Sequence, residues 1–301
     1  MDSRALVANS LSFVQHLIKE HEDISEVMLN PDGAVWIEVA GVVFLRPELS
    51  IAPEQAWSMV RTLAGHHDMI VNLDNPMLNC KLPVFHGGRF MGLIPPVTTA
   101  PSFSIRFLPK KVWSLEDLYR FGMIDTVQLE RLEKAVSNHE TILIAGGTSS
   151  GKTTVANAVI DLIQTDRVLL VEDNPEIRLR TKNCFPMLTQ KNFSLRDALE
   201  ATLRLRPDRI IVGEVRTGDV AVSMCSAWLT GHRGGIGTIH ADSAEGVLRR
   251  LYSLQQQVIL TPSIDDIKAS IDLIVYVQKI EIDGKATRRV TKIIETREMR
   301  K

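Results

Sequence analysis

Apolar and polar positions alternate through much of the first third of the chain. Further on, apolar residues come in short continuous runs. Alternation marks a sheet with one wet face, and continuous runs mark strands covered on both faces. In the first third, Val7, Leu11, Val14 and Ile18 recur at helical spacing, and Leu6, Phe13 and Leu17 widen the stripe. Residues 5–20 are therefore predicted to form a packing helix. Its polar face is too weakly basic for a membrane-surface role. Ile24–Leu29 reads as a strand leading into the turn Asn30-Pro31-Asp32-Gly33. Val35, Ile37 and Val39 alternate as a second strand, and a turn at Ala40-Gly41 starts a third at Val42, which makes an antiparallel meander. A helix is expected from about Ser50, with Pro53 in its first turn and Ala56, Met59, Val60 and Leu63 on one face. Residues 72–83, rich in Asn, Asp and Pro, read as irregular. Arg89–Pro96 and Ser102–Phe107 read as strands, each carrying an arginine.

The pattern changes after Leu108-Pro109-Lys110-Lys111. This predicts an N-terminal α+β domain over 1–108, a linker at 109–115 and an α/β domain over 116–301. In the second domain Ser114 opens a helix with Asp117 at capping-box spacing, and Thr126–Val136 is helical. Ile142-Leu143-Ile144 is a buried strand, followed by a Gly/Ser loop and a helix to about Gln164. Val168–Val171, Cys184–Thr189 and Ile210–Val212 are further strands, with a helix opened by Ser194 between the last two. Ser243–Gln255 and Ser263–Ser270 read as helices and Leu273–Val277 as a strand. A hairpin is expected through Asp283-Gly284, and the charged tail from Arg288 reads as an edge strand, not a nucleic-acid arm.

Chemistry concentrates in the second domain. Gly146-Gly147-Thr148-Ser149-Ser150-Gly151-Lys152-Thr153, followed by Thr154, fits the phosphate-binding pattern G-x-x-x-x-G-K-S/T between a strand and a helix. Glycine lets the backbone approach a phosphate, and the loop amides and helix N-terminus point positive charge at it. Lys152 supplies a full charge for the β- and γ-phosphates, and the Thr153 hydroxyl suits Mg²⁺. Two further strands end in acids, Glu172-Asp173 and Gly213-Glu214, where ligands sit in open α/β sheets. Glu214 is the candidate for polarising the attacking water and organising Mg²⁺, partly through water, with Glu172 as helper. His240 closes a Gly-rich loop and short strand. It has no second ligand at metal spacing, but an imidazole N–H suits a γ-phosphate oxygen.

Composition narrows the class. The chain has 301 residues, of which 45% are hydrophobic and 24% charged, enough for sizeable cores. A formal net charge of −1 gives no electrostatic case for direct DNA binding. Its three cysteines form no C-x-x-C pair, which argues against a zinc site or disulfide framework and fits a reducing cytoplasm. No apolar run approaches the roughly 18 residues of a spanning helix, and the N-terminus lacks a signal peptide's apolar core.

GGTSSGKTT, VEDNPE, RLRPDRIIVGEVR and TGHRGGIGTIHADS, in this order, resemble the motifs of the secretion ATPase superfamily, in particular the Vir-type traffic ATPases of type IV secretion and their conjugative branch. NPMLNCKLPVFHGGRFMGLIPPV and SFSIRF are similar to that family's arginine-bearing N-terminal strands. The resemblance implies a RecA-like P-loop NTPase domain preceded by a smaller α+β domain, ATP and Mg²⁺ as ligands, and a homohexamer. It also implies Arg89 and Arg106 as phosphate contacts, and Arg204, Arg206 and Arg216 as the family's C-terminal arginines. Absence of paired C-x-x-C motifs sets the chain apart from the type II secretion and pilus-assembly branch. The expected function is ATP hydrolysis driving substrate transfer or pilus assembly from the cytoplasmic face of the inner membrane, held there by partner proteins. A pilus-retraction motor, a slowly hydrolysing nucleotide-gated scaffold and a DNA-processing ATPase are the alternatives.

Overall fold

The computed structural model describes residues 2–39, 42–85, 87–108, 111–190, 192–282 and 285–299. It divides into two compact units, Met1–Lys110 and Lys111–Lys301. The turn expected at Ala40-Gly41, the Pro109-Lys110 part of the break and the turn dipeptide Asp283-Gly284 lie outside the described residues.

The first unit runs α1 (Ser3–Ser10), α2 (Ser12–Glu20), β1 (Ile24–Leu29), β2 (Ala34–Val39), β3 (Val42–Ser50), α3 (Pro53–His66), β4 (Met77–Lys81), β5 (Arg89–Leu93) and β6 (Ser102–Arg106). The strands form one antiparallel sheet in the order β3-β2-β1-β6-β5-β4. Val27, Val35, Ile37, Phe90 and Ile105 alternate inward and meet Val7, Leu11, Val14, Leu17, Val60 and Leu63 in one core. Two expectations change. The predicted helix over 5–20 is two helices, broken at Leu11, whose φ of −105° and ψ of 28° leave the helical region. The break keeps Val7, Leu11, Val14 and Leu17 all buried. The irregular stretch 72–83 contains β4, an edge strand poor in strand-forming residues that is set by pairing with β5 and by the buried Leu78.

The second unit begins with α4 (Leu115–Arg120) and α5 (Thr126–Ser137), the first with the predicted Ser114–Asp117 capping box. Then come β7 (Ile142–Gly146), α6 (Lys152–Ile160), β8 (Val168–Glu172), β9 (Cys184–Leu188), α7 (Leu195–Thr202), β10 (Arg209–Val215) and α8 (Gly218–Leu229). Last are β11 (Ile236–His240), α9 (Val247–Gln255), α10 (Ile264–Ser270), β12 (Leu273–Ile282), β13 (Lys285–Glu295) and a 3₁₀ turn, Thr296–Glu298. The seven-stranded sheet has the order β13-β12-β7-β11-β10-β8-β9, parallel except for β13. Successive residues of β7 face opposite cores: Ile142 and Ile144 one, Leu143 and Ala145 the other. A strand buried on both faces must be apolar throughout, which explains the continuous runs.

Two helix boundaries differ from expectation. The helix after the loop ends at Ile160, not near Gln164, and α9 starts at Val247 because Ser243 caps a preceding turn through Gly246. Helix α8 was not anticipated; its small, evenly apolar residues give little helical periodicity.

Arg209, 3% exposed, fastens the start of β10. Its Nε donates to Asp166 at 2.5 Å, Nη2 to the Val136 carbonyl at 2.8 Å and Nη1 to the Gly234 carbonyl at 3.3 Å. Helix α5 and the segments before β8 and β11 are thus tied to one guanidinium. Replacing it leaves a carboxylate and two carbonyls short of a donor. Arg209→Ala is expected to cost about 3 kcal/mol, measured by urea unfolding; an unchanged midpoint would show the network to be dispensable.

Candidate functional site

Parallel pairing sets where each candidate residue lies. Strands β7, β11, β10 and β8 are neighbours in that order and point the same way. Their carboxyl ends carry Gly146, His240, Glu214 with Val215, and Glu172. His240 is registered directly beside Gly146, and Val212 beside Val171. Sequence-distant residues therefore come to one edge of the sheet, the edge where open α/β sheets bind ligands.

The loop from Gly146 to Gly151 joins β7 to α6. Gly146 has φ +157°, and a Cβ there would come 2.2 Å from the Val277 carbonyl oxygen, so no larger residue fits. Lys152, at the first position of α6, turns its Nζ onto the carbonyls of Gly146 (3.0 Å) and Gly147 (2.7 Å). Thr148 and Ser149 are exposed. The Ser150 hydroxyl is buried without a hydrogen-bond partner. A buried orphan donor in the loop that leads into the N-terminus of α6 suits an anion with several acceptor oxygens. Thr153 and Thr154 follow in the first turn of α6, and the Thr153 hydroxyl donates to Glu176 at 3.1 Å.

Glu172 is 3% exposed. It accepts from the backbone N–H of Glu176 (3.1 Å) and Ile177 (2.9 Å), which folds the chain after β8 into a turn beside α6. Burial pushes its carboxyl up to about 7, and the two backbone donors only partly offset this. Room for it comes from β10: a Cβ on Gly213 would lie 2.8 Å from Glu172 Cγ. The Gly213 carbonyl in turn accepts from the Thr238 hydroxyl of β11 at 2.6 Å. Glu214, next in β10, is half-buried and paired with Arg216, whose Nε lies 2.8 Å away. Arg216 also reaches Asp173 at 3.9 Å, so its charge is spent between two acids of this edge. Arg206 has a left-handed φ of 53°.

Sequence reading missed two residues. Glu176 is the last acid of VEDNPE and is brought to Thr153 by the turn that Glu172 holds; its spacing of four from Glu172 was the available signal. Asn157 is a buried polar residue in the otherwise apolar run of α6. It donates to the carbonyls of Thr153 (3.0 Å) and Glu176 (3.2 Å) and accepts from the Arg178 N–H (2.8 Å). One polar residue in a buried helix interior was its signal.

In the first unit, Arg89 and Arg106 stand directly opposite each other on β5 and β6. The register extends the row to Lys81 on β4 and Glu26 on β1. Arg89 Nε also reaches Asn79 at 3.4 Å. Like charges directly opposite are an unfavourable pair.

Glu172 makes stability depend on pH. Its folded-state pKa is raised, so the folded chain keeps this proton while the unfolded chain releases it. Stability therefore falls as pH rises from 4.5 to about 7, by up to about 3 kcal/mol at 1.36 kcal/mol per unit. Glu172→Gln keeps the acceptor oxygen and cannot ionise. Without nucleotide it is expected to match the wild type near pH 5 and exceed it in stability near pH 8 in urea titrations; parallel pH profiles would contradict this.

Comparison with known proteins bears on the family and the fold. The model of a family described as type II/IV secretion system protein matches residues 9–297. A probable conjugal transfer protein TrbB of Sinorhizobium fredii is 37% identical over 264 residues, covering 86% of this chain and 80% of that one. The conjugal transfer protein TrbB of Rhizobium radiobacter is 37% identical over 275 residues, covering 90% and 83%. Among solved structures, the Legionella pneumophila ATPase DotB superposes with a TM-score of 0.68 at 18% identity, over 92% of this chain and 79% of that one. The pilus retraction motor PilT superposes with a TM-score of 0.65 at 21% identity, over 90% and 80%. These structural likenesses define the fold, an N-terminal domain followed by a RecA-like domain. With its family model matched over nearly its whole length, the chain belongs to the type II/IV secretion system protein family.

Proposed function

We propose that this secretion-family ATPase is Mg²⁺-dependent, cleaves ATP to ADP and phosphate, and powers substrate transfer or pilus assembly in a bacterial conjugation or type IV secretion machine. The observation that carries this reading is the convergence of the phosphate loop, Glu172, Glu214 and His240 at the carboxyl edge of adjacent parallel strands.

In this reading the loop amides of Gly147–Gly151 and the N-terminus of α6 hold the β-phosphate. Lys152 exchanges its contacts with the Gly146 and Gly147 carbonyls for phosphate oxygens. Glu214 orients a water and takes its proton as the water oxygen bonds the γ-phosphorus. The bond from that phosphorus to the bridging oxygen breaks, and its electron pair leaves with ADP. Glu172 assists by holding the turn that carries Glu176. His240, beside Gly146, donates to the γ-phosphate and registers its departure.

The donors fit Mg²⁺. The described residues group no three His, Cys, Asp or Glu side chains into a cage, and Mg²⁺ is ordinarily held by one or two protein oxygens, phosphates and waters. Thr153 would ligate it, with Glu214 and Glu176 acting through water. When bound, the ion neutralises charge on the β- and γ-phosphates.

Arg89 and Arg106 are assigned to the phosphates on the family resemblance, since guanidinium matches phosphate with paired donors. The working form is taken to be a homohexamer, as family membership supports. No helix among the described residues is long and apolar enough to cross a membrane; attachment to the inner membrane in this reading is through partner proteins. The chain's formal net charge of −1 supports a reading without direct DNA binding.

Phosphate release with Mg²⁺ tests the assignment. Lys152→Ala is expected to abolish it. Glu214→Gln is expected to bind ATP normally while kcat falls about 100-fold or more. Arg89→Ala and Arg106→Ala are each expected to raise KM about tenfold. Release by the wild type no faster than by Lys152→Ala would leave a nucleotide-gated scaffold; normal turnover in Glu214→Gln would move the base elsewhere.

A further inference from the structure

The phosphate loop has a neighbour from the far end of the chain. Arg288 lies on the edge strand β13, opposite Lys279 of β12. A cross-strand pair of like charges is unfavourable in itself, so packing between these two side chains does not explain the arginine. Its guanidinium instead turns to the loop, where Nε donates to the Ser149 carbonyl at 3.0 Å.

Ser149 is the point where the loop needs support. It is a non-glycine residue with φ +55°, in the left-handed region. Such a conformation carries a cost and persists only when its surroundings over-determine it. The loop's own restraint on Ser149 is one long bond, from the Ser150 N–H to the Gly147 carbonyl at 3.4 Å; the Ser149 side chain is exposed and the Ser150 hydroxyl has no partner. The Arg288 bond falls on the carbonyl of the strained residue itself. Its aliphatic stem also lies along the end of the loop: a Cβ on Gly151 would sit 3.3 Å from Arg288 Cδ and 2.9 Å from Met123 Cε. Met123 is tied to the same strand, because its carbonyl accepts from the Val290 N–H at 2.8 Å. Side chains from β13 and from the turn after α4 thus close over the outer side of the loop.

We infer that Arg288 is a positioning residue for the phosphate loop: its hydrogen bond to the Ser149 carbonyl holds the loop amides aimed at the phosphates before nucleotide arrives. The inference rests on the nucleotide-binding reading above and adds the part played by the C-terminal hairpin. A loop held in its binding shape does not have to be ordered by the ligand, so the bond contributes to affinity. It acts on binding and not on the chemical step, because Ser149 offers its amide to the phosphate equally in ground and transition states.

The test uses the full chain and two probes, ADP and inorganic pyrophosphate, which shares the phosphates but lacks the nucleoside. Arg288→Ala and Arg288→Gln are expected to weaken both probes by about tenfold, the size of one hydrogen bond to a charged donor. KM for ATP should rise by the same factor with kcat nearly unchanged. Arg288→Lys, which keeps a charged donor, is expected to restore part of the loss. Arg297→Ala, an exposed site paired with Glu295, serves as a charge control and should bind both probes normally. Thermal unfolding of each variant identifies any loss of the fold. A folded Arg288→Ala with wild-type affinity for both probes would overturn the inference. Loss of ADP affinity alone would overturn it too, placing Arg288 against the nucleoside. If the wild type bound neither probe, the functional reading would fall and this inference with it.

Discussion

Parallel hydrogen bonding between β8, β10, β11 and β7 is the constraint on which the site depends. The phosphate loop, Glu172, Glu214 and His240 lie far apart in sequence. Pairing Val212 with Val171 sets Gly213 beside Glu172, and pairing His240 with Gly146 sets the imidazole beside the loop. A slip of one residue would send every one of these side chains to the other face of the sheet. The two apolar cores that sandwich the sheet prevent that slip, because Leu143, Ala145, Val171, Ile210, Val212 and Ile239 fill one and Ile142, Ile144, Val168, Leu170, Ile211 and Ile236 the other. Stability and function are joined here: the continuous apolar runs that build the core also hold the register of the site.

The edge itself is under tension. Glu172 is buried among backbone, its carboxyl pushed up to about 7, in space that exists only because residue 213 is glycine. Ser149 is held with a left-handed backbone, and Ser150 keeps a buried hydroxyl unsatisfied. Unfavourable features gathered at one place are characteristic of functional sites, where packing elsewhere offsets the local cost. The Arg209 network at the opposite end of β10 is part of that offset, fastening the strand where no ligand is needed.

Much of this was legible in the sequence. The loop, the acid-terminated strands and the short strand ending in His240 each carried a local signal: glycine spacing, an apolar run, an abrupt change to charge. What stayed hidden was set by partners far away in the chain. Strand β4 has the composition of a loop and becomes a strand through pairing with β5. The break at Leu11 leaves the hydrophobic stripe intact, so periodicity could not reveal it. Glu176 looked like one acid among several until the turn held by Glu172 brought it to Thr153. Arg288 bonds a residue 139 positions away, and no local pattern encodes such a contact.

The central claim is that this edge is built to take a nucleoside triphosphate in the loop, with the side chains now bonded to protein waiting to exchange partners. A structure of the chain with a non-hydrolysable ATP analogue and Mg²⁺ tests it most directly. The account predicts that Lys152 Nζ leaves the Gly146 and Gly147 carbonyls for phosphate oxygens, that the Ser150 hydroxyl gains a partner, and that Thr153 turns from Glu176 to the ion. An analogue bound away from this loop, or bound there with Lys152 and Thr153 keeping their present partners, would contradict it.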